Sequence, residues 1–166
     1  YERGRAPVAL ELSGSSNLAG LQPAAADVLR AAASGGDVAA LTRYPSLWAG
    51  ELKAAVADHL GVPAACVATG AGSDDVLDSI VRACTVPGQR LVFPTPTFSM
   101  LPHLARVNAL EPVAVPLLPG ALDVDAEAML AAGGELDYVC SPNNPTGSLA
   151  SAAAIDALLA RGAGVV

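Results

Sequence analysis

Cys66-Val-Ala-Thr-Gly-Ala-Gly-Ser-Asp-Asp75 decides how the chain is read. Its first four residues predict a short apolar strand, and its glycines predict a tight turn. Ser73-Asp-Asp75 then opens a run that carries Val76, Leu77, Ile80, Val81 and Cys84 inward at helical spacing. The same order recurs towards the C-terminus. Arg90-Leu-Val-Phe93 predicts a second strand, stopped by Pro94-Thr-Pro96, and a helix follows over 97–107. Pro112–Val115 predicts the next strand, and Asp123 stands as N-cap of a helix over 123–132. Tyr138-Val-Cys140 is the strand after that. Ser141-Pro-Asn-Asn-Pro-Thr-Gly147 leads to a helix over 150–160, and Gly164-Val-Val166 begins one more strand.

Towards the N-terminus, residues 47–60 predict an amphipathic helix with Leu52, Val56 and Leu60 four apart, stopped by Gly61. Residues 1–43 read as an irregular arm, Leu10-Glu-Leu-Ser-Gly-Ser-Ser-Asn17, then a short helix around Pro23–Ala33 closed by Gly35-Gly36. The expected organisation is therefore an arm over 1–43 and a domain over 44–166. Short buried strands alternating with helices of about 10–14 residues mark an α/β fold with a mostly parallel sheet. Function in such sheets sits in loops at the carboxyl ends of strands, where 70–75 and 141–147 both fall. The strand opening at 164 would lack neighbours within 166 residues, so the sequence is expected to continue.

Composition narrows the functions. Apolar residues make up 52% of the chain, much of it alanine, and Gly plus Pro stay below a low-complexity level, so the chain is expected to fold. The net charge is −7 and the nine Lys and Arg are scattered, which argues against nucleic acid as a partner. No apolar run reaches a membrane span, and the chain opens at Tyr1 with no leader in view, which points to a trimmed sequence. Cys66, Cys84 and Cys140 are odd in number, widely spaced and set in apolar runs, so they are expected to be core thiols in a reducing compartment. His59 and His103 lack partner acids or cysteines, and no metal site is expected.

Three loops can carry chemistry. The 70–75 turn frees the N–H groups of Ser73 and Asp74 at a helix N-terminus, where an anion is favoured. An ordinary strand-to-helix turn capped by Ser73 or Asp74 remains open, and the third glycine of a dinucleotide fingerprint is missing. The Pro-rich 141–147 loop can hold an asparagine amide rigidly, or its asparagines can simply cap the helix at 150. Phe98, after Pro94-Thr-Pro-Thr97, can lie flat on a planar ligand or belong to the core. Tyr44-Pro45 can be a plain turn.

Taken in order, Asn17-Leu-Ala-Gly20, Arg43-Tyr-Pro45, Gly70-Ala-Gly-Ser-Asp-Asp75, Pro94-Thr-Pro-Thr-Phe-Ser-Met100 and Ser141-Pro-Asn-Asn-Pro-Thr-Gly147 resemble the fold-type I aminotransferases, and most closely the histidinol-phosphate aminotransferase family. The resemblance implies part of a mostly parallel, three-layer large domain that binds pyridoxal 5'-phosphate and shares its active sites across a homodimer in the cytoplasm. It implies that Ser73 and Asp74, with Gly72 in the approach, hold the cofactor phosphate. Phe98 would stack on the ring, Asn144 would donate to its phenolic oxygen, Tyr44 would reach the phosphate of the neighbouring subunit, and Asn17 would lie near the substrate. The arm departs from the family's Asn-Glu-Asn-Pro motif at Ser16 and Leu18, which leaves the substrate open. The family's Schiff-base lysine matches no residue here, since the sole lysine is Lys53, on the helix after Tyr44. The implied reaction moves an amino group between an amino acid, of histidinol-phosphate or aromatic type, and a 2-oxo acid, with residues 1–166 inactive alone. A threonine-phosphate decarboxylase shares most of these motifs, and a non-catalytic cofactor- or partner-binding module is the reading of a different class.

Overall fold

The computed structural model describes Asn17, residues 19–35, 42–162 and 164–166. Helix α1 (Pro23–Gly35) starts on a proline, whose missing N–H costs nothing at that position, and it buries none of its residues. Helix α2 (Gly50–Leu60) buries Ala57 alone. The chain divides into two units, Tyr1–Ala49 with α1, and Gly50–Val166 with α2 and everything after it.

In the second unit, a short 3-10 turn over Ala64–Cys66 precedes helix α3 (Ser73–Cys84). Strand β1 (Arg90–Thr95) buries Leu91, Val92, Phe93 and Pro94 in succession, so it has apolar neighbours on both faces. Helix α4 (Leu101–Val107) leads to β2 (Glu111–Pro116), which runs parallel to β1 from Arg90↔Glu111 to Thr95↔Pro116. Helix α5 (Ala126–Ala132) leads to β3 (Leu136–Asp137), parallel to β1 on its other side. Helix α6 (Ala152–Ala160) leads to β4 (Gly164–Val165), parallel to β3. The sheet order is β2-β1-β3-β4.

Side chains one residue apart on a strand point to opposite faces, and this sorts the core into two layers. Leu91, Phe93, Leu136 and Tyr138 join Val81 of α3 and Leu101 and Ala105 of α4. Val92 and Val115 join Met129 of α5 and Ala154 and Leu158 of α6. Leu91, Leu101, Met129, Leu136 and Leu158 are fully buried. Each contributes roughly 1.5–3 kcal/mol relative to an exposed side chain. The expected three-layer α/β architecture is therefore present.

At the amino end of the sheet, Gly134 approaches β1 so closely that a Cβ there would lie 2.5 Å from Val92 Cγ2 and 3.2 Å from Asp137 Oδ1. Asp137 is 0% exposed. Arg161, at the end of α6, donates from Nη2 to Asp137 Oδ2 at 2.8 Å and to the Gly134 carbonyl at 2.6 Å. Burial pushes the Asp137 carboxyl above its ordinary value, and the Arg161 charge and hydrogen bond pull against that shift.

Several sequence expectations are corrected here. Cys66–Thr69 is not a strand. Val67 is extended, at φ −108 and ψ 121, but the segment joins no ladder among the described residues. An apolar run makes a strand only where a neighbour takes its hydrogen bonds. Cys66 and Cys84 are exposed and Cys140 is half-buried, so the first two are surface thiols rather than core residues. Leu52 and Leu60 are also exposed and Val56 is half-buried, so most of the apolar face expected for α2 stays uncovered among the described residues. Helix α5 starts at Ala126, so its cap is Asp125, which accepts from Ala128 N at 2.9 Å, and not Asp123. Helix α4 starts four residues later than 97, because Thr97 is engaged in a loop network. The ladder at β3 covers Leu136–Asp137 rather than 138–140, with Tyr138 N still donating to the Val92 carbonyl at 2.8 Å.

Candidate functional site

Parallel strands deliver their following loops to one edge of the sheet, and three of those loops meet at the carboxyl ends of β2, β1 and β3. Gly72 caps α3 with φ 88 and ψ 176, backbone that essentially only glycine adopts. It offers the helix no side-chain cap, so the N–H groups of Ser73 and Asp74 have no acceptor within the helix. Beside Gly72 the space is open, with nothing among the described residues within 4 Å of where a Cβ would stand. Asp75 folds back instead, its Oδ2 accepting from Ala71 N at 2.8 Å. The turn thus presents backbone donors and room. The exposed Asp74 carboxylate would repel an anion, so any anion held there is held by N–H groups and the helix dipole, worth about 0.3–1 kcal/mol.

Asparagine supplies the second feature, and the doubled Asn143-Asn144 divides the work. Asn143 is 5% exposed. Its Nδ2 donates to the Pro96 carbonyl at 3.0 Å and to Thr146 Oγ1 at 2.8 Å, and its Oδ1 accepts from Thr97 Oγ1 at 2.9 Å. Its backbone N–H goes to the Ser148 carbonyl at 2.8 Å and its carbonyl takes Gly147 N at 2.7 Å. Asn144 is exposed and its amide makes no hydrogen bond among the described residues, which leaves it free for a ligand. Neither asparagine caps α6, whose cap is Ser151, accepting from Ala154 N at 3.2 Å. The peptide bonds Thr95–Pro96, Ser141–Pro142 and Asn144–Pro145 are cis.

Phe98 is half-buried and packs against the α3–α4 layer together with Leu77 and Cys140. Burial pushes the buried Tyr138 phenol up from its ordinary value, with smaller contributions from Cys140 and from the charge of Asp74. Phe98 and Asn144 thus stand in the loops that follow β1 and β3, which Asn143 ties together, while Gly72, Ser73 and Asp74 open helix α3. Tyr44 and Asn17 lie in the unit Tyr1–Ala49 and are described within it. Tyr44 is 101% exposed. The Asn17 amide is used locally, donating to the Gly20 carbonyl at 2.5 Å and accepting from Ala19 N at 3.1 Å. Among the described residues no group of His, Cys, Asp and Glu could hold a metal ion, and no helix is long and apolar enough to cross a membrane.

Asn143 is the residue that sequence reasoning missed. Asn-Asn gives no sign of which amide turns inward; only the arrangement of neighbours does. The nearest signal was the pair of threonines, Thr97 and Thr146, one in each loop, ready to complete a buried amide.

Open helix N–H groups, a half-buried aromatic and an exposed amide thus stand in a parallel α/β domain. The match to known proteins is more specific: the family model "Aminotransferase class I and II" covers residues 11–165, and the chain belongs to that family. It is 38% identical over 144 residues to an aromatic amino acid aminotransferase of Corynebacterium diphtheriae, covering 85% of this chain and 40% of that one. It is 37% identical over 166 residues to a histidinol-phosphate aminotransferase of Ruegeria pomeroyi, covering 95% of this chain and 44% of that one. The fold superimposes on a histidinol-phosphate aminotransferase of Sinorhizobium meliloti, solved in complex with pyridoxal-5'-phosphate. The TM-score is 0.72 at 29% identity, over 84% of this chain and 38% of that one. The chain thus spans less than half the length of these relatives.

Proposed function

We propose that this chain binds pyridoxal 5'-phosphate at the carboxyl end of its sheet and forms the cofactor-holding part of an aminotransferase. The observation that supports the reading is the donor set itself: an α3 N-terminus without a side-chain cap, a half-buried Phe98 in the loop after β1 and an exposed, unbonded Asn144 amide in the loop after β3. The chemistry of that donor set fits the cofactor: backbone N–H groups at Ser73 and Asp74 for a phosphate, an aromatic face at Phe98 for a planar ring, and a free amide at Asn144 for a phenolic oxygen. When bound, the cofactor supplies an electron sink for reactions at an amino acid's α-carbon.

This chain's residues do the binding and orienting. Ser73 and Asp74 fix one end of the cofactor through N–H groups that need no side-chain motion. Phe98, anchored by its packing, keeps water from one ring face. Asn144 fixes the rotation of the ring about its phosphate arm by donating to the phenolic oxygen. A base for proton transfer needs a lysine that none of these positions supplies, and Lys53 sits on α2. Residues 1–166 alone are therefore expected to show no transamination. The same reading covers the arm over 1–43 and domain over 44–166, a homodimer in which Tyr44 reaches the partner's phosphate, Asn17 near the substrate, and a cytoplasmic setting. Amino donors of histidinol-phosphate or aromatic type are supported by the names of the relatives, and a 2-oxo acid is the acceptor this reading assigns.

Equilibrium dialysis of residues 1–166 with pyridoxal 5'-phosphate, against pyridoxal without the phosphate, tests this. Lys53→Arg serves as the background, so that chance reaction of the lysine with the aldehyde is removed. Preference for the phosphorylated form of at least about ten-fold is expected, on the scale of a few charge-assisted hydrogen bonds. Equal affinity for the two would refute the cradle at 72–74.

A further inference from the structure

Resting on that reading, we infer that Asn143 is a positioning residue that holds the cofactor's loops in register, acting through Asn144 and Phe98 rather than touching the cofactor itself. Its committed hydrogen bonds carry the argument. A side-chain amide has two N–H donors and one oxygen. In Asn143 both donors and the oxygen are spent inside the protein, on Pro96, Thr146 and Thr97. Pro96 and Thr97 belong to the loop after β1, which ends in Phe98. Thr146 belongs to the loop after β3, which contains Asn144.

The bonds form a chain with a fixed direction. The Ser148 hydroxyl donates to the Leu122 carbonyl at 2.8 Å, so its proton is spent. In the 2.7 Å contact between Thr146 Oγ1 and Ser148 Oγ, the donor must then be Thr146. Thr146 in turn accepts from Asn143 Nδ2, while Asn143 Oδ1 accepts from Thr97. Donation therefore runs Thr97 to Asn143 to Thr146 to Ser148 to Leu122, and it links the loops after β1, β3 and β2 at their common edge. Asn143 is the one member that joins the β1 and β3 loops. No other side chain of its size fits. Aspartate would set an oxygen against the Pro96 carbonyl and Thr146, and serine is too short to span the three partners.

Amide hydrogen exchange and pyridoxal 5'-phosphate dialysis on residues 1–166 test the assignment, comparing wild type with Asn143→Ala, Asn143→Asp and Thr97→Val. Loss of a buried amide's partners is expected to weaken cofactor binding by about ten-fold or more in both Asn143 variants. Exchange should rise in both loops, 95–99 and 141–148. In Thr97→Val the 141–148 loop should also exchange faster, although the substitution lies in the other loop. Amides of Leu91–Phe93 in β1 should keep their protection, which separates loop positioning from general unfolding. Cofactor affinity within two-fold of wild type in both Asn143 variants overturns the inference, and so does faster exchange spread evenly over β1. If wild type itself binds no pyridoxal 5'-phosphate, the cofactor reading falls and this role falls with it. In that case the cross-loop exchange in Thr97→Val still reports whether the network exists.

Discussion

Arg161→Met should cost this fold most of the stability a single surface-proximal change can remove, and should do so in a pH-dependent way. The substitution keeps a flexible apolar stem and deletes the charge that faces Asp137. That leaves a fully buried carboxylate: Oδ2 loses its 2.8 Å bond, and Oδ1 already has no partner among the described residues. Breaking a buried pair by removing one partner costs about 3–5 kcal/mol. The Arg161 side chain is 22% exposed, so water relieves part of the loss and the lower end of that range applies. With a urea slope of about 1–3 kcal/mol per molar, the midpoint should fall by roughly 1 M or more.

The sign of the pH effect follows from Asp137 having a raised folded value. A carboxyl that holds its proton more tightly when folded loses stability as pH rises from the unfolded value through the folded one. Arg161 supplies both influences that lower the folded value, so deleting it widens that window upwards. The deficit of Arg161→Met should be largest near neutral pH and shrink as pH falls towards the ordinary carboxylate range. Asp137→Asn in the Arg161→Met background should recover much of the loss at neutral pH, because a neutral amide needs no counter-charge. Urea titrations of these variants from pH 4 to 8, followed by far-ultraviolet circular dichroism, read all of this. A deficit that stays constant across that range would show that lost packing, not an orphaned charge, is the cause, and would refute the reasoning.

Three further outcomes are expected. Gly72→Ala forces a Cβ onto backbone at φ 88 and ψ 176, so it should cost about 1–3 kcal/mol in urea titration and weaken pyridoxal 5'-phosphate binding in dialysis. Asn144→Ala removes an exposed amide that makes no bond among the described residues, so the urea midpoint should stay unchanged while cofactor affinity drops; a stability loss with unchanged affinity would remove Asn144 from its proposed role. Asp123→Ala deletes a carboxylate held below its ordinary value first by the backbone N–H and then the side chain of Ser151. The stability that Asp123 contributes is present above about pH 4 and lost as pH falls through the folded value, so wild type and variant should converge in acid.

The order of elements was legible because it rests on local chemistry. Gly61, Pro94 and Pro87-Gly88 punctuate the chain, and Leu91-Val-Phe93 can be satisfied only by burial on both sides. What local chemistry could not convey was pairing and depth. Cys66–Thr69 has strand composition, but no neighbour among the described residues takes its hydrogen bonds. Cys84 keeps helical phase with Val81 yet sits in the last turn, beyond the edge of the layer that Val81 enters. Asp123 and Asp125 are equally good caps by composition, and the later one serves because the helix starts at Ala126. At the site, the turn at 72–74 and the aromatic at 98 were readable as types. The choice between Asn143 and Asn144 was not, since it depends on Thr97, 46 residues away in sequence.

Gly134 has a reach that its place at the opposite end of the sheet does not advertise. A methyl group there would collide with Val92 and push β3 away from β1, loosening the Leu91↔Leu136 pairing. Because strands are stiff over a few residues, such a wedge at the floor tilts what stands on the roof, and the loops bearing Phe98 and Asn144 would splay. Spacing between the two side chains proposed to face the cofactor is thus governed partly by the absence of one carbon atom far below them.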